Sequence, residues 1–324
     1  MSYAGQRFVH DADSHTMEMP GFLDDFIEAR FLDTVRAAPL FADSSQNWDD
    51  AERLLRQPDD AEYRAADTEM LMLRKNRDAL GAFRKEHRGQ ALDLLGFASQ
   101  LVFTTSLLRY SMSVEHGEDM ALAYAVGRAH CRYMSDFCAG DSRLLPVGYV
   151  PLADFERSAA AAREAIDMGC KALMISSACP RGHSHSHVSL DPVWAVAEEA
   201  RIPVVLHVGN GGTLLNPDFF NNGLPPVKDF HGGDANFRSI DYMSIFVPPM
   251  QAMTALIIDG VLDRFPNLKF GVIEDGASWV PGWMRNMDSA HRAFYKNEER
   301  LQKLSMKPSE FVRRQVRVTP YPHE

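Results

Sequence analysis

Seven short apolar runs punctuate the chain: RFVHDAD (7–13), QLVFTTS (100–106), LLPVGYVP (144–151), KALMISS (171–177), IPVVLHVG (202–209), LKFGVIE (268–274) and VRVTP (316–320). Each has the length of a fully buried strand. Between them lie segments with helical periodicity. In DFERSAAAAREAIDMGC (154–170), Phe155, Ala159, Ala162 and Ile166 share one face, and DPVWAVAEEARI (191–202) offers Asp191 as an N-cap with Pro192 at the first helical position. Strand and helix in alternation predict a parallel sheet with right-handed crossovers, either a closed barrel or an open doubly wound sheet. The chain has no GxGxxG after its first strand and no GxxxxGK[ST]. That favours the barrel, because nucleotide-binding open sheets need such a loop to cradle phosphate.

Two stretches depart from the alternation. Residues 21–99 show helical periodicity without a convincing strand, as in LDDFIEARFLDTVR and AEYRAADTEMLMLRKNRDALGAFRKE, and read as a helical insertion between strands 1 and 2. Residues 210–239 are rich in Gly, Asn and Pro and read as a long loop, a length usually reserved for lids and binding loops.

Composition narrows the picture. A chain of 324 residues is long for one ordinary domain but suits a single (β/α)8 TIM-type barrel over 1–324, a fold of about 250 residues that often carries insertions. With 45% hydrophobic and 24% charged residues a large core is available. A net charge of −10 argues against general binding to nucleic acid or to an acidic membrane, both of which need a basic face. Cys131, Cys138, Cys170 and Cys179 form no CxxC pair and fit free thiols in a reducing compartment. The start of the chain lacks the pattern of a leader, and no run approaches the roughly 18 apolar residues of a membrane span. A cytoplasmic location is the expectation.

Barrel enzymes carry their chemistry at the carboxyl ends of strands. In RFVHDADSH, Asp11, Asp13 and His15 alternate, so on a regular strand they would project to one face and suggest a metal; the plain alternative is a polar strand end. Later strands end in SSACPRGHSHSH, in His207 and in Glu274. Asp13, His15 and His207 make a ligand mixture suited to zinc, and in an open site to manganese or iron. A histidine closing an apolar strand is more often an ordinary core residue. Its match with the acid and imidazole of strand 1 favours the ligand reading.

His183, His185 and His187 could chelate a metal, but His185 and His187 read better as contacts for an anionic substrate. Asn210 and His231, in the long loop, and Trp279, as a pocket wall or a core aromatic, are further substrate-binding candidates. Glu18 could orient a metal ligand or be a loop acid. No GxSxG elbow appears and no cysteine has a nucleophile's context.

The segments DADSHTMEMP, IPVVLHVGNGG and DGVLDRFPNLKFGVIEDGASWVPGWM resemble the amidohydrolase-related proteins grouped with aminocarboxymuconate semialdehyde decarboxylase and γ-resorcylate decarboxylase. The resemblance runs from about residue 7 to the end, with three separated motifs in order. It implies an acid-x-His metal pair on strand 1 at Asp13 and His15, and a further metal histidine on strand 5 at His207. Where those decarboxylases commonly carry a catalytic histidine, after strand 6, this chain has Glu274. Their eighth strand ends in a metal-binding aspartate. Here the run at 316–320 counts as the seventh strand, so the eighth is expected to be missing by C-terminal truncation.

These readings imply a mononuclear metal-dependent hydrolase or non-oxidative decarboxylase acting on a small carbonyl or carboxylate compound, with Glu274 and His207 as the catalytic residues. Zinc is the first expectation for the ion. Glu274 in place of histidine tilts the balance toward hydrolysis. The alternative of another class is a catalytically silent barrel fragment or binding protein. A small molecule is the expected partner, with neither nucleic acid nor membrane, and the helical insertion makes a homodimer a further expectation.

Overall fold

In a computed structural model of the chain the described residues are 2–19, 21–38, 53, 55–209, 215–225 and 239–324. They fall into two compact units, Met1–Pro151 with Arg163–Leu173, and Leu152–Ala162 with Met174–Glu324.

The first unit holds β1 (His10–Thr16), β2 (Ser99–Thr104) and β3 (Leu144–Tyr149), which pair in parallel and in chain order. Short β4 (Ala172–Met174) begins beside β3, where the Lys171 N–H donates to Pro146 O at 2.8 Å. Described segments between β1 and β2 are helical or turn, ending in α1 (Lys85–Leu95). Two helices link β2 to β3: α2 (Ser106–Glu115) and α3 (Met120–Cys138). The Asp119 side chain starts α3 by accepting from the Leu122 N–H, satisfying one of the donors every helix start leaves open. Leu92, Val102, Leu107, Val126 and Met134 form the centre of this unit's core.

In the second unit the Ile175 N–H donates to Val205 O, setting the end of β4 beside β5 (Val204–His207). Next come β6 (Phe270–Ile273) and β7 (Val316–Val318), again parallel and in order. Strands β5 and β6 are buried along their whole length, as a parallel sheet with covered faces requires. Their crossovers carry α5 (Asp191–Glu199), α6 (Val247–Ile258), α7 (Val280–Phe294) and α8 (Pro308–Gln315). Helix α4 (Phe155–Asp167) precedes β4. Parallel strands in chain order with helical crossovers are the arrangement of a TIM-type α/β barrel.

Two details differ from the sequence reading. Strand β1 lies three residues later than the apolar run 7–13, so the polar triplet sits inside the strand and not at its end. Asp191 is in the first turn of α5 and not its N-cap: a 3-10 turn, Val188–Leu190, runs straight into the helix, and the Asp191 carboxylate instead holds Arg264 through two bonds of 2.8 and 2.9 Å. All four cysteines are free, three of them buried and Cys179 exposed. Among the described residues no helix is long and apolar enough to cross a membrane.

Candidate metal centre

Strand β1 does not keep a strict alternation. Asp11 pairs with Gln100 and Ser14 with Val102, so three steps along β1 match two along β2. Such a bulge breaks the period of two and re-aims the residues beyond it. Asp11 is drawn into a buried polar network: it accepts from Gln100 Nε2 at 2.9 Å, Gln100 Oε1 accepts from Arg88 Nε at 3.2 Å, and Arg88 also donates to Ser14 Oγ. Burial raises the Asp11 carboxyl above the usual range, opposed by hydrogen bonds from the Asp13 N–H and from Gln100. Of the alternating triplet, then, only Asp13 and His15 form a pair, with His15 Nε2 3.3 Å from Asp13 Oδ1.

The His15 ring is fixed by the neighbouring strand. Its Nδ1 lies 3.0 Å from Thr104 O, an acceptor only, so Nδ1 carries a hydrogen and Nε2 is the nitrogen turned to Asp13. Two further contacts hold this end of β1. Glu18, buried at 7% exposure, accepts from the N–H groups of Thr105, Ser106 and Leu107 at 2.8–3.2 Å, filling the open donors at the start of α2. Burial pushes its carboxyl up, with those N–H bonds opposing. Behind Thr104, the buried His130 ring bridges Thr104 Oγ1 (3.1 Å, through Nε2) and the Tyr149 N–H (2.9 Å, to Nδ1). An acceptor at Nδ1 and full burial keep that ring neutral, its pKa lowered by desolvation to about 3.

In the second unit His207 closes β5 with 3% exposure. Its Nδ1 lies 2.9 Å from Val208 O, so Nδ1 carries a hydrogen and Nε2 is again the nitrogen turned to an acid. Glu274 Oε2 lies 3.8 Å from that nitrogen, and the Glu274 side chain is 46% exposed. Glu274 follows β6 directly with a backbone φ of +60°, one of two non-glycine residues with positive φ among those described. A β-carbon is disfavoured there, and such conformations persist where surrounding contacts impose them. Here the Glu274 N–H donates to Thr319 Oγ1 at 2.7 Å, and Tyr321 Oη donates to Glu274 O at 2.8 Å.

The remaining candidates are more committed. His185 is buried with Nε2 2.8 Å from Ser176 O. His187 stacks on Phe155 at 4.6 Å while its Nδ1 accepts from the Ser189 N–H, and His183 meets the same phenyl ring at 4.6 Å. The Trp279 indole donates to the carbonyls of Asp275 and Gly276, and its ring packs against Phe246 and Trp283. These are the contacts of a packed aromatic. Asn210 and His231 lie outside the described residues. Sequence reasoning missed Thr104, Thr319 and Tyr321, because each acts through one backbone bond or hydroxyl that no spacing announces.

A family model described as amidohydrolase matches residues 46–322, leaving β1 outside the matched range. None of the curated proteins compared matches the chain. Among solved structures, an amidohydrolase from Mycobacterium avium subsp. paratuberculosis K-10 is 18% identical, with 98% of this chain and 85% of that chain covered at a TM-score of 0.72. A 5-carboxyvanillate decarboxylase from Novosphingobium aromaticivorans DSM 12444, complexed with manganese and 4-hydroxy-3-methoxy-5-nitrobenzoic acid, is 17% identical over 98% and 80% of the two chains, TM-score 0.60. A dihydroxybenzoic acid decarboxylase from Polaromonas sp. JS666, with manganese and 2-nitroresorcinol, is 13% identical over 97% and 79%, TM-score 0.58. These likenesses speak for the fold, and the family match spans most of the sequence. The chain belongs to the amidohydrolase family.

Proposed function

We propose that this chain is a metal-dependent enzyme of the hydrolase or carboxy-lyase kind, acting on a small carbonyl or carboxylate compound, with one divalent cation held by Asp13, His15 and His207. Glu274 stands beside them as the proton-handling carboxylate. The observation that carries the reading is the state of the two imidazoles: each spends Nδ1 on a backbone carbonyl and turns Nε2 toward a carboxylate. Metal-binding histidines are held in this way, because the second nitrogen's bond fixes both tautomer and ring orientation. Asp13, His15, His207 and Glu274 each offer one ligand atom, two imidazoles and two carboxylates, a set that fits a divalent ion of zinc or manganese type.

When bound, such an ion supplies Lewis-acid polarisation of a substrate oxygen. The protein's own part is positional and acid–base. His15 and His207 hold their rings rigidly against backbone, so neither loses orientation when a ligand exchanges. Glu274, half exposed, can take a proton at Oε2 during hydrolysis or return one to carbon during loss of a carboxylate. Hydrolysis gains support from Glu274 standing where the resembling decarboxylases commonly have histidine. Carboxy-lyase chemistry gains support from the two manganese-containing aromatic-acid decarboxylases of similar fold.

The test is elemental analysis of the purified chain beside His207→Ala, followed by incubation of manganese- and zinc-loaded protein with hydroxylated benzoates and with simple esters and amides. Near-stoichiometric metal lost in the variant, together with carbon dioxide release or hydrolysis, is the expected result. A chain that takes up no divalent ion would end the enzymatic reading and leave a binding role.

A further inference from the structure

Glu274 stands in a conformation that its own side chain disfavours, and the groups that impose it come from the segment after β7. We infer that Thr319 and Tyr321 are positioning residues that together hold Glu274 in its left-handed backbone conformation and so set where its carboxylate stands relative to His207. Both backbone polar groups of Glu274 are taken by side chains of this segment: its N–H by Thr319 Oγ1 at 2.7 Å and its carbonyl by Tyr321 Oη at 2.8 Å. The two bonds fix the peptide groups on either side of Cα, which determine φ and ψ. Relaxing φ toward negative values would have to break one or both.

The segment is itself anchored. The Thr319 N–H donates to Val272 O at 3.1 Å, continuing the β6–β7 pairing to the residue that holds Glu274. The Tyr321 ring lies against Gly276, where a β-carbon would come within 2.8 Å of its Cε2, and Gly276 also has a positive φ of +68°. Only glycine lets the tyrosine seat so closely. The Glu324 carboxylate closes the arrangement by accepting from the N–H groups of Ala277 (2.7 Å), Ser278 (2.8 Å) and Tyr321 (2.9 Å). Those bonds, Ser278 foremost, hold its acid down to about 2, so the clasp stays charged at ordinary pH. Two ends of one turn, 274 and 277–278, are thus gripped by residues 319–324, while the carboxylate of Glu274 is left to face Nε2 of His207 at 3.8 Å.

The functional importance of that placement rests on the proposed metal-dependent activity, so the experiment reads the two separately. Glu274→Gly is made in the wild-type chain and in a Thr319→Val/Tyr321→Phe background, both near-isosteric changes, and thermal midpoints are compared across the four proteins. If Thr319 and Tyr321 impose the strain, glycine raises the midpoint by about 2 °C in the wild type, where it relieves the strain, and gives no rise in the double variant, where Glu274 has already relaxed. An equal rise in both backgrounds overturns the inference. The same proteins, stripped with chelator, are titrated calorimetrically with manganese chloride. Affinity lower by about 10-fold in the Thr319→Val/Tyr321→Phe variant is expected for a positioning role toward the site. No manganese binding by the wild type, with the midpoint coupling intact, would sink the metal reading while upholding the grip on Glu274.

Discussion

At the end of β1 the His15 ring is oriented by a carbonyl 89 residues away, on the next strand, whereas at the end of β5 the His207 ring is oriented by the carbonyl of the adjacent residue. The acids differ in the same sense. Asp13 sits in a strand whose bulge is braced by hydrogen bonds involving Arg88, Gln100 and the Glu18 cap on α2. Glu274 sits at a strained position gripped by Thr319 and Tyr321. One end is held by a satisfied network and the other by local geometry under tension. Networks resist change at any single point, and strained positions give way when one restraint goes.

The comparison is most severely tested by the ligands. His207→Ala should lower divalent-metal affinity by more than about 100-fold in calorimetric titration, and Asp13→Asn should do so comparably if the two pairs serve one ion. Loss with one variant and not the other would mean that the pairs do not act together.

Next in size is the brace. Glu18→Ala leaves three N–H groups at the start of α2 without their acceptor and should cost about 2–4 kcal/mol in urea unfolding. A loss within 0.5 kcal/mol, by that scale about nothing, would show that water replaces the carboxylate and that β1 is not braced there.

The buried imidazole gives a pH signature. His130 has its pKa lowered from 6.5 to about 3, so between those values the unfolded chain binds the proton that the folded chain refuses. Stability therefore falls as pH falls through that window, by at most about 1.4 kcal/mol per unit. Asp11 and Glu18, whose carboxyls are raised, work the other way, because above their ordinary pKa the folded state binds the extra proton. Replacing His130 with Asn should flatten the acid slope of the unfolding free energy; an unchanged slope would place its origin elsewhere.

The smallest expected effect separates the two acids of β1. Asp11→Asn should leave metal affinity within about 3-fold of wild type, because Asp11 belongs to the Arg88–Gln100 network, and should cost about 1 kcal/mol of stability through that network. A drop as deep as that of Asp13→Asn would put Asp11 among the ligands and restore the simple alternation.

Much of this was legible in the chain. All seven described strands lie within or overlap the apolar runs read from the sequence, most plainly β5 and β6, which are buried along their whole length as strands of a covered parallel sheet must be. Asp13, His15, His207 and Glu274 could be picked out because polar residues at the ends of such runs are conspicuous. Element lengths were harder: AEYRAADTEMLMLRKNRDALGAFRKE shows helical periodicity, and its helices are short, Ala61–Ala65 and Asp67–Met70 with turns after them, where Arg64 and Arg74 converge on the buried Asp67.

What the sequence determined by itself is the order of strands and helices and the chemical types at the strand ends, since hydrophobic periodicity is a local property of the chain. What only the tertiary structure decided is which nitrogen of each histidine is spent on a backbone carbonyl, where the hydrogen bonds of Asp11 go, and how Glu274 is held. Those depend on hydrogen bonds from Thr104, Gln100, Thr319 and Tyr321, residues 45 to 89 positions distant from the groups they hold. A bond between groups so far apart in the chain exists only once the strands have paired.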